Sequence, residues 1–447
     1  MNTQAANIIV TPLKSAILDG HKNKLHVLVR MQAPDLPKTV SKERQPYCLA
    51  FVIDRSGSMS GDPLNEAIRC VDFMVDRLIE TDSAALVTFD NEVTLDHPLY
   101  ALTNKQKFKT ILASIHSGGT TNLHGGWREG ADEFVRKESN AVIKRVILLS
   151  DGCANEGLVD PIQIAKQAES FANRGITTST YGLGKGFNED LMVELARSGQ
   201  GNHYYAEKAE DLLESFNEEF DLMSNLWAKG LLLTAKSKDG VHLRILNDYR
   251  QVDDNAGAWL MPNIAFGSEA WAIFEVIISL PHKEGELVDL FSVSLSGLDI
   301  NSKNIYMESP LLSLPVLNAA AFAVIADDEL VQRRLDEVMA SEYLQRARQA
   351  VHQGDWDSAD AILQEAKAKF KSSLWAQDVL SSMERLAKQR DDAYFMKEAL
   401  FSDRKLSVRL SRKMESLDLD SEIDSASFLR RKTAQGKKQF FEDVDAS

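Results

Sequence analysis

Hydrophobic positions change their period three times along this chain. Near the amino terminus Leu25, Val27, Val29 and Met31 alternate with Lys24, His26 and Arg30, the period-two pattern of a half-buried strand. Ala33 to Arg44, with two prolines, reads as a connector. From Cys48 the pattern becomes short apolar runs: CLAFVI (48–53), AALVTF (84–89), KRVILL (144–149) and ITTSTYGL (176–183). Between them, helical spacing covers Pro63 to Ile79, Asn104 to Ile115, Leu123 to Val135 and Pro161 to Ala172. Helices at Asn188–Arg197 and Ala209–Leu226 close the unit around a short HYY strand. Continuous apolar strands are buried on both faces, and each parallel return needs a crossover helix. The pattern therefore predicts a doubly wound, mostly parallel α/β sheet.

After Trp227 the helical period stops. KGLLLTAK, VHLRIL, EAWAIFEVII and LFSVSLSGL are strand-like and are separated by turn signals at Asp239-Gly240, Asn255–Gly257, Gly267 and His282–Gly285. They predict an antiparallel β-sandwich short of strands, which the amino-terminal segment can supply. The expected organisation is residues 1–46 and 228–317 as one sandwich, with the α/β unit, 47–227, inserted in it. Residues 318–415 turn to Ala, Leu, Glu, Arg and Gln at helical spacing. Within them ARQAVHQGDWDSADAILQEA resembles one tetratricopeptide-type hairpin, with Gly354 and Asp355 at the turn and Ala359 at the close helix contact. One such unit cannot make a solenoid, so a small helical hairpin or bundle is expected. The tail, 416–447, is a charged mixture expected to be disordered until bound.

The 447 residues carry 51 Lys+Arg against 66 Asp+Glu, a net charge of −15. That balance disfavours a general phosphate-backbone binder, so nucleic acid is not an expected partner. Cys48, Cys70 and Cys153 are odd in number and widely separated. They offer neither a disulfide framework nor a CxxC metal knuckle. The amino terminus lacks a basic n-region, and no segment approaches the ~20 apolar residues of a membrane span. These features point to a cytoplasmic protein.

The candidate chemistry lies at the carboxyl ends of the predicted strands, where open α/β sheets bind ligands. The first sheet strand ends in Asp54-Arg55-Ser56-Gly57-Ser58-Met59-Ser60-Gly61. Two further loops at that edge are Gly118-Gly119-Thr120-Thr121-Asn122-Leu123 and Leu148-Leu149-Ser150-Asp151-Gly152. Together they offer two carboxylates and several hydroxyls, hard oxygen donors suited to Mg²⁺, with Mn²⁺ or Ca²⁺ also compatible. The plain alternative is helix capping, which is preferred for Ser60 and Asp62.

DRSGSMSG, GGTTNL and LLSDG, in this order, resemble the metal-ion-dependent adhesion site (DxSxS…T…D) of von Willebrand factor A, or integrin I-type, domains. VTFD (87–90) and YGLGKGFNEDLMVELARSGQGNHYYAE (181–207) fit the same family. A weaker resemblance, to bacterial proteins in which such a domain interrupts a sandwich and precedes helices, extends over the rest. The resemblance implies Ser56, Ser58 and Thr121 as direct metal ligands, with Asp54 and Asp151 holding the ion directly or through water. Thr120 is adjacent; the Thr-Asn-Leu spacing favours Thr121. The implied function is a non-enzymatic protein–protein interaction scaffold, in which an open metal position accepts a Glu or Asp carboxylate from a partner. A second reading is an adaptor or regulator in a bacterial kinase–phosphatase or AAA+ ATPase system.

Other signals are discounted. The Gly57–Gly61 loop fails the GxSxG spacing and no His is placed as its base. A DxDxT phosphatase would need an aspartate where Ser56 stands, so a metal-dependent hydrolase is the least favoured class. Gly182, Gly184 and Gly186 lack the last glycine of a nucleotide loop, where Phe187 stands. His124 and His203 are isolated, and Trp356 and Trp375 read as core. Arg430-Arg431-Lys432-Thr433 resembles a basophilic kinase site, making Thr433 a candidate phosphorylation site beside the plainer reading of a solvated charge run.

Overall fold

The structure, a computed structural model, describes residues 6–36, 45–137, 143–151, 154–183, 189–206, 209–252, 257–413 and 426–431. The chain divides into two compact units, one built from Met1–Lys38 and Asn225–Ala434, the other from Thr39–Ser224 and Gln435–Ser447. The first unit opens with strands β1 (Asn7–Pro12), β2 (Ile17–Leu18) and β3 (Asn23–Gln32), the last carrying the alternation read above.

The second unit runs β4 (Tyr47–Asp54), α1 (Asp62–Arg77), β5 (Ser83–Phe89), β6 (Val93–Ala101), α2 (Lys105–Ala113), α3 (Leu123–Arg136) and β7 (Ile143–Ser150). It continues through α4 (Pro161–Asn173), β8 (Ile176–Leu183), α5 (Glu189–Ser198), β9 (Gln200–Ala206) and α6 (Ala209–Ser224). Among the described residues these strands form one sheet in the order β6-β5-β4-β7-β8-β9. All pairings are parallel except that of β6 with β5. Strand β4 is buried along its whole length, as its uninterrupted apolar run requires. Consecutive residues point to opposite faces: Val52 lies under Gly130 of α3, while the Phe51 ring stands 6.1 Å from that of Phe108 in α2. Helices therefore cover both faces, as the sequence pattern predicts. Strand β6 was not expected; it carries Pro98, which is tolerated because the strand is an edge.

The chain then returns to the first unit with β10 (Leu226–Ser237), β11 (Val241–Ile245), β12 (Ala258–Met261), β13 (Ile264–Ala265), β14 (Ser268–Ile278), β15 (Leu287–Asp299), β16 (Asn304–Glu308) and β17 (Leu312–Leu317). Strand β3 pairs antiparallel with β14 from Gln32↔Glu269 to Asn23↔Ile278, in a sheet ordered β1-β3-β14-β11. A second sheet is ordered β12-β10-β15-β17-β2. Phe274 of β14 meets Trp259 and Phe291 of that second sheet at ring distances of 5.4 and 5.7 Å. On the opposite face of β14, Trp271 and Ile273 pack with Leu28 and with Val331, Leu335 and Val338.

Those last three residues belong to α8 (Glu329–His352), which follows the short α7 (Ala319–Ala323). Helices α9 (Trp356–Lys369), α10 (Leu374–Ala387) and α11 (Asp392–Val408) complete a helical layer around Leu344, Ala359, Trp375 and Phe395. The α8–α9 turn places Gly354 at φ +76°, a left-handed conformation glycine adopts without strain. The chain then rejoins the first sheet through β18 (Ser411–Arg412), paired with β14.

Part of the tail departs from expectation. Residues 427–429 form a 3₁₀ turn with Ser427 and Leu429 buried, and the Arg431 guanidinium lies 5.9 Å from the Trp375 ring. Thr433 and the rest of the basic island lie outside the described residues, as do Gly152, Cys153 and Gly184–Phe187. No helix of the described residues is long and apolar enough to cross a membrane.

Candidate metal centre

The first loop is shaped by its own aspartate. Asp54 ends β4, fully buried, and its Oδ1 accepts the Ser56 amide at 2.8 Å, an Asx-type turn that bends the chain off the strand. A 3₁₀ turn over Gly57–Met59 follows, with Met59 buried beneath it. Ser56 is buried and Ser58 exposed, and their Oγ atoms lie 3.2 Å apart. Helix α1 then starts after Gly61 with no side-chain cap. Ser60 and Asp62 therefore do not cap as expected; Asp62 sits in the first turn, where its charge suits the helix dipole.

Two backbone bonds tie the second loop to the first. Gly118 N donates to Arg55 O at 2.6 Å and Gly57 N to Gly119 O at 2.9 Å. Thr121 is buried. Its amide donates to Asn155 Oδ1 at 2.9 Å, and its carbonyl accepts the Asn155 and Glu156 amides, each at 3.2 Å. Thr120 is exposed and its hydroxyl donates to the Glu156 carboxylate. Asn122 then caps α3 by accepting the Gly125 amide.

The third loop begins at Ser150, whose hydroxyl donates to Asp54 Oδ2 at 2.5 Å. Asp151 follows and is buried. Burial pushes the Asp54 carboxyl up to about 6; the hydrogen bonds from Ser150 and Ser56 oppose the rise and the nearby Asp151 charge adds to it. Direct bonds thus link the first loop to each of the other two, and Asn155 and Glu156, just beyond the third, hold Thr121.

The donor set is two buried carboxylates with serine and threonine hydroxyls. Among the described residues no group of three or more His, Cys, Asp or Glu could hold a metal ion, so a cation here would depend on the hydroxyls. Such oxygens fit a hard divalent ion. His124 and His203 instead lie within hydrogen-bond distance of Gln167 and Thr180. Asp90, Ser150, Asn155 and Glu156 brace the loops. From the sequence, Asp90 and Ser150 stand only within VTFD and LLSDG and none of the four carries a role, although Asn155 and Glu156 lie just beyond the LLSDG motif.

Comparison with known proteins agrees with this fold. The family profile of the von Willebrand factor type A domain matches residues 49–219. YfbK of Escherichia coli (strain K12) is 28% identical over 214 residues, 47% of this chain and 36% of YfbK. The sll0103 protein of Synechocystis sp. is 26% identical over 231 residues, 52% of this chain and 53% of that one. The chain thus spans about half or less of the curated relatives it matches. Among solved structures, the von Willebrand factor type A protein from Catenulispora acidiphila superposes with a TM-score of 0.64 at 15% identity, covering 89% of this chain and 90% of that one. Residues 49–219 are therefore a von Willebrand factor type A domain.

Proposed function

We propose that this domain is an interaction module that binds a Glu or Asp side chain of a partner protein through a divalent cation. Asp54, Ser56, Ser58, Thr121 and Asp151 would hold the ion, with Mg²⁺ the preferred species and Mn²⁺ or Ca²⁺ compatible with the same oxygens. Domains of this family are commonly protein-interaction modules. The observation that carries the reading is the bonded convergence of three loops at one sheet edge: Gly57 to Gly119, Gly118 to Arg55, and Ser150 to Asp54. Thr121 is preferred over Thr120, whose hydroxyl is turned to Glu156. Neutral hydroxyls leave the ion electrophilic, so a partner carboxylate can take an open position without any bond being made or broken.

The two sheets of the other unit, antiparallel except where β2 pairs with β17 and joined by the Phe274 contacts, are read as one β-sandwich that, with the helices, orients the module or binds a second component. Calorimetric titration of the purified chain with Mg²⁺ and Mn²⁺ tests the metal. A pull-down with and without EDTA, repeated with Asp54→Ala and Ser56→Ala, tests the contact. Partners lost with EDTA and with either substitution support it; identical partners in all four samples overturn it.

A further inference from the structure

We propose that Asp90 is the positioning residue that registers the Thr121 loop against the Asp54–Ser58 loop. The inference rests on the metal-site reading above and extends it to a residue outside the donor set. Asp90 directly follows β5 and is 5% exposed. Its Oδ2 lies 3.2 Å from Arg55 Nη2, in the first loop, and accepts the Gly119 amide of the second at 3.4 Å. Its Oδ1 accepts the Glu92 amide at 2.8 Å, which fixes the carboxylate plane. Its carbonyl accepts the Asn122 amide at 2.8 Å. One residue thereby grips the chain on both sides of Thr120-Thr121 and the residue between Asp54 and Ser56.

The loop sequence is shaped to let this happen. A Cβ on Gly118 would fall 2.1 Å from Asp90 Oδ2, and one on Gly119 would fall 2.2 Å from Asn91 Oδ1. The two glycines allow backbone to lie against those side chains. Because Arg55 neutralises the carboxylate, Asp90 acts on geometry. A small cation demands near-ideal oxygen positions, so the register of the Thr121 loop governs affinity.

The test uses the full chain with Asp90→Ala, Asp90→Asn and Gly118→Ala, read by Mn²⁺ calorimetry and by amide hydrogen exchange over residues 118–122 in EDTA. Asp90→Ala should weaken Mn²⁺ binding about 10- to 100-fold and speed exchange in that loop more than in strands β4 and β7, which separates local loosening from the global loss of stability that the unpaired Arg55 and freed amides bring. Asp90→Asn keeps one acceptor oxygen but turns an NH₂ donor toward the remaining donors, Glu92 N or Gly119 N and Arg55, so it should recover only part of the affinity lost in Asp90→Ala. Gly118→Ala should weaken binding alone yet add little to Asp90→Ala, whose carboxylate no longer meets the new methyl. Wild-type exchange in Asp90→Ala overturns the positioning role, and faster exchange with unchanged affinity overturns its link to the metal. If wild-type protein binds no Mn²⁺ while Asp90→Ala still loosens the loop, the metal reading falls and the positioning stands.

Discussion

The Ser150 hydroxyl donates to Asp54 Oδ2 at 2.5 Å, joining the carboxyl ends of two neighbouring parallel strands. Asp54 also receives the Ser56 amide on its other oxygen, so bonds from two loops aim the carboxylate. Removing Ser150 leaves the carboxylate in place and its direction less defined. Ser150→Ala should reduce Mn²⁺ affinity about 10- to 100-fold in calorimetric titration, and Asp54→Ala should abolish it. Equal affinity in Ser150→Ala would show that the bond has no part in binding.

Gly130 inverts a familiar substitution. Gly→Ala within an exposed helix stabilises by about 1 kcal/mol, but a Cβ here would lie 2.5 Å from Val52 Cγ2. Gly130→Ala should instead destabilise by about 1–3 kcal/mol through overpacking. Gly126→Ala should behave alike, its methyl meeting the Phe89 ring at 2.3 Å. Urea unfolding checks both signs.

Arg145 and Glu219 form an ion pair in the interior of the α/β unit. Burial alone would raise the Glu219 carboxyl, but Arg145 and donors from Ser179, Asn202 and Tyr204 hold it below the usual range. Arg145→Ala would strand a buried charge, at a loss of about 3–5 kcal/mol. Chemical denaturation measures it, and a loss below about 1 kcal/mol, typical of exposed pairs, would contradict it.

Asp403 gives the stability a pH dependence. It is buried, accepts from Ser341 and Gln345, and burial pushes its carboxyl up to about 6, with Asp248 raising and Arg404 lowering it further. The folded state then holds this proton more tightly than the unfolded chain does. Its contribution is complete below the unfolded value near 4 and is lost as pH rises through about 6. Asp403→Asn cannot ionise, so its stability relative to wild type should climb across that window by up to about 3 kcal/mol and level off above it. Urea melts through the window test this; a constant difference would exclude it.

Strands β4, β5, β7 and β8 were legible as continuous apolar runs, because burial on both faces leaves no place for alternation. Strand β6 was not, since an edge strand with His97 and Pro98 meets neither pattern. Ser60 and Asp62 do not cap for a related reason: the loop bends to follow Asp54, and Gly61 takes the N-cap position of α1, leaving Ser60 one residue before it and Asp62 inside the first turn. The charged composition of 416–447 leads to the expectation of a tail disordered until bound, yet Leu429 finds a buried position that composition cannot reveal.

Local spacing alone therefore pointed to the parallel α/β unit, the flanking strands and the carboxyl-terminal helices, whereas the candidates Asp54, Ser56, Ser58, Thr121 and Asp151 rested on the motif resemblance. Which groups brace those candidates was a matter for the tertiary structure. Ser150 reaches Asp54 only because β4 and β7 are neighbours in register, and Asp90 reaches Arg55, Gly119 and Asn122 only because β5 lies on the other side of β4. Periodicity is written within a few residues, whereas these contacts join segments tens of residues apart, and strand order is what brings them within a hydrogen bond.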